Sequence, residues 1–148
     1  DDLLAELDIV VASPHSALSQ DGKKATKRLR AAIENPHVDI IGHATGRLIG
    51  RREGLSPNFD ELFKAAAEHD TAFEINANPF RLDLRDIHAK AAIDAGVKLS
   101  INTDTHGPAD IALMRYGVLT ARRAGVTKKQ VINCLTEKQL LKWLKRND

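Results

Sequence analysis

Four short apolar runs in this chain each end in a side chain able to bind a metal ion or to orient one that does. His15 follows the first run, His43 the second, Asn76 and Asn78 the third, and Asp104 with His106 the fourth. Asp104 and His106 share the parity of a strand, so both side chains can face the same way just beyond its end. A carboxylate and an imidazole two residues apart suit one hard or borderline metal. Taken alone, Asp104-Thr105-His106 also reads as a polar turn in which Asp104 caps a helix and His106 meets solvent. Its recurrence at equivalent ends favours the metal reading.

All these donors are nitrogen or oxygen, which suits zinc, manganese or iron rather than an iron–sulfur cluster or copper(I). Such an ion lowers the pKa of a bound water from ~15.7 to about 7 and stabilises a developing oxyanion. Phosphoester hydrolysis uses both effects and also needs cations to hold phosphate. Arg47, Arg51 and Arg52, spaced by Gly46 and Gly50, and Arg81 after the third run supply guanidinium groups beside the site. Arg51 and Arg52 serve equally well as solvated loop residues paired with Glu53 or Asp60. His37, His69 and His88 lie near helix ends or on helical surfaces and read as solvated.

The elements that must position these groups follow from hydrophobic period. Residues 7–13 form a β-branched run with the look of a strand buried on both faces. Residues 38–42, 72–78 and 99–104 are the next three strands. Between them, Ala25, Leu29, Ala32 and Ile33 make one helical stripe, and Phe59, Leu62, Phe63 and Ala66 a second. Asn58 and Glu61 have the spacing of a reciprocal cap. A third helix begins near Asp83, carries Leu84, Ile87 and Ala91 on its inner side, and stops at Gly96. Beyond Gly107-Pro108 the pattern is purely helical. Ile111, Met114 and Val118 mark a buried stripe ending at Gly125, and capping pairs Thr127/Gln130 and Thr136/Gln139 start two short helices. Trp143 is expected to pack among Leu140, Leu141 and Leu144 with its ring partly exposed. About four strand–helix units followed by helices predict an α/β fold with a parallel sheet, either open and doubly wound or part of an eight-unit barrel.

The 148 residues suffice for one domain with a core, and a net charge of +2 gives no argument for nucleic acid by itself. No run of 18 apolar residues marks a membrane span. Cys134, the one cysteine, excludes an internal disulfide, fits a reducing compartment, and reads as a buried structural thiol. A cytoplasmic protein is expected.

Ser13-Pro14-His15-Ser16, Gly42-His43-Ala44-Thr45-Gly46-Arg47, Glu74-Ile75-Asn76-Ala77-Asn78-Pro79 and Asn102-Thr103-Asp104-Thr105-His106 resemble successive motifs of the PHP (polymerase and histidinol phosphatase) domain. Gly50-Arg51-Arg52-Glu53, Arg81-Leu82-Asp83 and Met114-Arg115-Tyr116-Gly117 resemble the form carried by bacterial and archaeal family X DNA polymerases. The resemblance implies the C-terminal part of a distorted seven-stranded β/α barrel. It implies up to three divalent ions, commonly manganese or zinc, with the later ligands at His15, His43, Asp104 and His106. The activity implied is phosphodiester hydrolysis at DNA 3′ ends, exonucleolytic or in repair, by a metal-bound water acting with Asp104 and His106. Residues 1–148 would then be a single partial PHP domain, lacking the family's earlier strands and metal motifs and the polymerase modules. Alternatives are a small-molecule phosphatase of the histidinol-phosphate phosphatase type and an inactive structural fragment. An unpaired first strand predicts either a larger assembly or a dimer closing over Ile9 and Val11.

Overall fold

Strand-length runs separated by helical stripes fold, in the computed structural model, into one parallel sheet with helices packed against it; the structure describes residues 2–144. A short helix α1 (Asp2–Ala5) precedes strand β1 (Val11–Ala12). Helix α2 (Gly22–Ile33), strand β2 (Ile40–Ile41), helix α3 (Phe59–His69), strand β3 (Ala72–Asn76), helix α4 (Asp86–Asp94) and strand β4 (Leu99–Asn102) follow. A 3-10 turn (Pro108–Leu113), helix α5 (Met114–Arg123), two further 3-10 turns and helix α6 (Glu137–Leu144) complete the order. The sheet runs β1-β2-β3-β4, parallel throughout. Strand order never reverses, so the sheet has no switch point of the doubly wound kind. Stepwise addition of parallel strands is consistent with part of a β/α barrel.

The two faces of β3 and β4 divide the molecule. Phe73, Ile75, Leu99 and Ile101 enter one apolar core with Leu29, Ile33, Leu62 and Phe63 from α2 and α3. Glu74, Asn76, Ser100 and Asn102 alternate with them on the opposite face, and the register places Glu74 beside Ser100 and Asn76 beside Asn102. Asp21 caps α2 by accepting from the Lys24 N–H at 3.0 Å. Asn58 caps α3 by accepting from the Glu61 N–H. Glu61 does not complete the expected reciprocal cap; its carboxylate takes Arg30 at 3.2 Å instead.

Several expectations are corrected. The first strand is two residues long and neither of them is buried: Val11 is 48% exposed and Ala12 half-buried, while just before it Val10 is buried and Ile9 43% exposed. It stands at the sheet edge with β2 as its one neighbour among the described residues. Asp83 is not a helix start; it is 1% exposed in the loop before α4, and the inner side of α4 is Ala89 and Ala92 while Ile87 faces outward. The stripe of Ile111, Met114 and Val118 is exposed rather than buried. Helix α5 instead buries Gly117, Thr120 and Ala121, because small residues let its backbone approach β3 and β4 closely. Cys134 is exposed, in a 3-10 turn rather than in a packed helix. Trp143 is buried against Ile40, Ala72 and Ile132 at the N-terminal ends of β2 and β3, and Leu141 is outside this cluster. Both later capping pairs form: Gln130 accepts from the Thr127 N–H at 2.8 Å and Gln139 from the Thr136 N–H at 2.9 Å.

Gly117 gives the packing of α5 a direct test. A Cβ there would stand 2.6 Å from Ile101 Cγ2 and 2.8 Å from the Ala77 Cβ. Gly117→Ala should therefore destabilise the fold by about 1–3 kcal/mol through overpacking, read as a lowered denaturant midpoint at constant m-value. An unchanged midpoint would show that α5 does not seat on β4 as described.

Candidate active site

The C-terminal ends of the strands gather most of the residues singled out by type. Gly42 lets β1 and β2 end close together, since a side chain there would meet Ser13 Oγ and Val11 Cγ1. The imidazoles of His15 and His43 meet edge to face with centroids 5.0 Å apart. His43 is buried and His15 exposed. The Nδ1 of His43 is buried without a hydrogen-bond partner. Burial, and then the charge of Arg81, depresses the His43 pKa to about 4, so its ring is neutral and keeps a lone pair at neutral pH.

Glu74 ties this corner to the rest. Its Oε2 accepts from the His43 N–H at 2.7 Å and from Asn76 Nδ2 at 3.2 Å; its Oε1 accepts from Asn102 Nδ2 at 3.0 Å. Burial pushes its carboxyl upward from the ordinary range, opposed by these hydrogen bonds. Asn76, fully buried, also donates to Asp104 Oδ2 at 3.3 Å, and Arg81 Nε lies 3.3 Å from the same oxygen. His106 Nδ1 is 2.6 Å from the Asp104 carbonyl oxygen. A carbonyl only accepts, so Nδ1 carries the proton and Nε2 is left free to act as a ligand. His43 and Asp104 both adopt positive φ, 25° and 54°. Non-glycine residues rarely do so, and such strain concentrates at functional sites.

The donor chemistry fits a divalent ion, and the unpartnered His43 Nδ1 is the observation that asks for one. Among the described residues no three His, Cys, Asp or Glu side chains converge on a common point. The structure thus brings together His15, His43, Asn76, Asp104 and Arg81, joined through Glu74, and leaves His106 exposed at the rim. Asn78 is turned to local work: its Oδ1 accepts from the Phe80 N–H at 3.0 Å.

Three arginines are placed elsewhere. Arg47 donates to the carbonyls of Arg81 and Leu82, which ties the loop after β3 in place. Arg52 donates through Nε and a terminal nitrogen to the Gly46 carbonyl. Arg51 lies over the Phe80 ring, 5.7 Å from its centroid. Neither Arg51 nor Arg52 pairs with Glu53 or Asp60 among the described residues. His88 is half-buried rather than solvated, its ring 4.1 Å from that of Phe59, and burial with the charge of Arg85 depresses its pKa to about 4.

Glu74 and Asp83 are the residues that sequence reasoning passed over. Asp83 Oδ2 accepts from Thr45 N–H, Thr45 Oγ1 and Gly46 N–H at 2.8–3.1 Å, fixing the loop after His43. The signal for Glu74 was available: a lone acid inside an otherwise apolar strand, in the parity of Asn76. For Asp83 the local sequence imitates a helix cap and carries no signal of its long-range partner.

Comparison with known proteins follows the same lines. No family profile matches the chain. Over all 148 residues it is 49% identical to the DNA polymerase/3′–5′ exonuclease PolX of Bacillus subtilis, of which it covers 26%. It is 31% identical over 140 residues to a probable phosphatase of Thermoanaerobacter sp. (strain X514), covering 88% of this chain and 55% of that protein. A probable phosphatase of Caldanaerobacter subterraneus is 29% identical over 145 residues, 92% of this chain and 55% of the relative. The chain spans between a quarter and a little over half the length of these relatives. The chain is thus similar over its whole length to a part of the polymerase/exonuclease PolX, and over most of it to probable phosphatases, in keeping with the PHP resemblance of its strand-end motifs.

Proposed function

We propose that this chain is part of a seven-stranded PHP barrel, a metal-dependent phosphoesterase that hydrolyses phosphodiesters at DNA 3′ ends within a family X polymerase. Residues 1–148 form a partial domain of it, and β1 gains a further neighbour either from the rest of the barrel or from a second copy over Ile9 and Val11. The observation that carries the reading is the neutral His43 ring, its Nδ1 buried without a hydrogen-bond partner, set against His15, with Asp104 linked to the His43 backbone through Glu74 and Asn76.

His15, His43 and Asp104 would each offer one donor to a divalent ion, with His106 presenting Nε2 at the rim; since no three of these converge among the described residues, the rest of the barrel would complete the set. Manganese or zinc suits these donors. A bound ion of this kind supplies hydroxide at neutral pH and offsets charge on the phosphate. Asn76 holds the Asp104 carboxylate in orientation through its amide. Glu74 fixes the backbone of His43 and so the direction of its ring. Arg81, already 3.3 Å from Asp104, faces an incoming phosphate with a planar pair of donors. Arg47 and Arg52 act on DNA less directly, since they spend hydrogen bonds on the loops that carry the site, whereas Arg51 is not so tied. A cytoplasmic location accords with the family X reading; separately, no helix among the described residues is long and apolar enough to cross a membrane.

The probable-phosphatase relatives favour a second reading, hydrolysis of a small phosphate monoester. The full-length protein, supplied with manganese or zinc, separates the two. Stepwise shortening of a 5′-labelled single strand, suppressed by chelator, is the expected result. Release of phosphate from a sugar monoester with no shortening of DNA would establish the second reading instead.

A further inference from the structure

Beside the strand-end cluster lies an open groove of about 760 Å³ that the proposed chemistry leaves unused. Its floor is apolar, from Leu55, Pro57 and Phe59, and four arginines line it: Arg47, Arg51, Arg52 and Arg85. Among the described residues none of these four has a carboxylate within 4.0 Å. Two carboxylates, Glu53 and Asp83, share the lining. Asp83 is buried, directs one oxygen to Thr45 and Gly46, and has its carboxyl pushed upward by burial. The groove therefore carries an excess of positive charge that the chain itself does not balance, and an anionic ligand relieves it.

The floor narrows what that anion is. The rings of Phe59 and His88 lie 4.1 Å apart at 34°, and His88 Nδ1 is buried without a partner. An apolar, aromatic floor beneath an arginine rim is the surface that takes a nucleobase with its phosphate. An acidic peptide would match the rim and leave the floor unused. The groove also adjoins the site: Arg47 donates to the carbonyls of Arg81 and Leu82, and the Arg81 side chain reaches Asp104.

We propose that this groove is a nucleotide subsite that holds single-stranded polynucleotide, base against the Phe59–His88 floor and phosphate on Arg51 and Arg85, next to the strand end at which hydrolysis occurs. The proposal rests on the phosphodiesterase reading for its purpose, but its binding is measured without turnover. Single strands are favoured because a base must leave its stack to reach the floor.

The test uses fluorescence anisotropy of a fluorescein-labelled oligothymidylate with the full-length protein, in chelator so that no cleavage occurs. Arg85 is the exposed N-cap residue of α4; its carbonyl accepts from the Ala89 N–H, which any residue there provides, and its side chain makes no capping hydrogen bond, so Arg85→Ala should keep the fold. Arg85→Ala is expected to weaken binding about tenfold, the loss of one charged hydrogen-bonded contact. The slope of log K against log salt should shrink by ~0.7, one phosphate fewer on a single strand. Arg85→Lys should restore the slope, and in turnover Arg85→Ala should raise KM with kcat kept. An unchanged Kd and salt slope in Arg85→Ala would overturn the subsite. So would displacement of the oligonucleotide by oligoglutamate as readily as by unlabelled oligothymidylate. Absence of hydrolysis with the binding pattern intact would instead remove the phosphodiesterase reading and leave the nucleotide groove standing.

Discussion

His43→Asn and Asp104→Asn are each expected to lower phosphodiester turnover by ~10³-fold and to reduce the amount of bound metal, with the fold intact. Asparagine is the chosen replacement because both positions have positive φ, which it tolerates better than alanine does. Asp104→Asn also keeps an oxygen for the Asn76 amide while removing the charge. The magnitude follows from loss of a metal's charge stabilisation, about 4 kcal/mol, at ~1.4 kcal/mol per tenfold. Circular dichroism controls for folding, and metal content by mass spectrometry separates loss of the ion from loss of chemistry. Turnover within a few fold of the parent in both variants would exclude the strand-end cluster as the reaction centre.

The second large effect is on stability. Glu74→Ala is expected to lower the melting temperature by about 10 °C. The carboxylate answers three donors inside the sheet, the His43 N–H and the amides of Asn76 and Asn102. Removing it takes the acceptor from the buried His43 N–H and from the half-buried Asn102 amide and leaves the Asn76 amide with Asp104 alone, at ~1 kcal/mol or more each. Some 3 kcal/mol in a chain of this size corresponds to roughly 2–4 °C per kcal/mol. Glu74→Gln should recover part of the loss, since one amide oxygen still accepts while its NH₂ faces a donor. Equal melting temperatures for parent and Glu74→Ala would mean that water replaces the carboxylate and that this network does not organise the site. Glu74→Gln should also lower turnover more than its modest destabilisation explains, because the His43 backbone loses its fixed direction.

Where the sequence was legible, it was because local rules and the tertiary fold agree. The period of Ala25, Leu29 and Ile33, the caps at Asn58, Thr127 and Thr136, and the left-handed Gly96 and Gly125 all depend on near neighbours along the chain. Strand ends carrying His15, His43 and Asp104 could be aligned because a parallel sheet puts every strand's C-terminus on one edge. Period does not say which face of a helix is buried when small residues compete with large ones. On α5 the close approach permitted by Gly117 and Ala121 outweighed the apolar Met114 and Val118, and Ile111 falls in the 3-10 turn before it.

The residue types at the strand ends and the order of elements were thus determined by the sequence alone, since both are set by spacing over a few residues. Only the tertiary structure decided what those residues do for each other. It tied Arg47 and Arg52 to neighbouring carbonyls, brought Asp83 to Thr45 in the loop after His43 from 38 positions away, and made Glu74 the hub of the site. Apart from the Arg52–Gly46 tie, which spans six positions, each of these assignments is a hydrogen bond between groups far apart in the chain. Its partner is chosen by which elements the sheet places side by side and by the cost of burying a polar group unanswered.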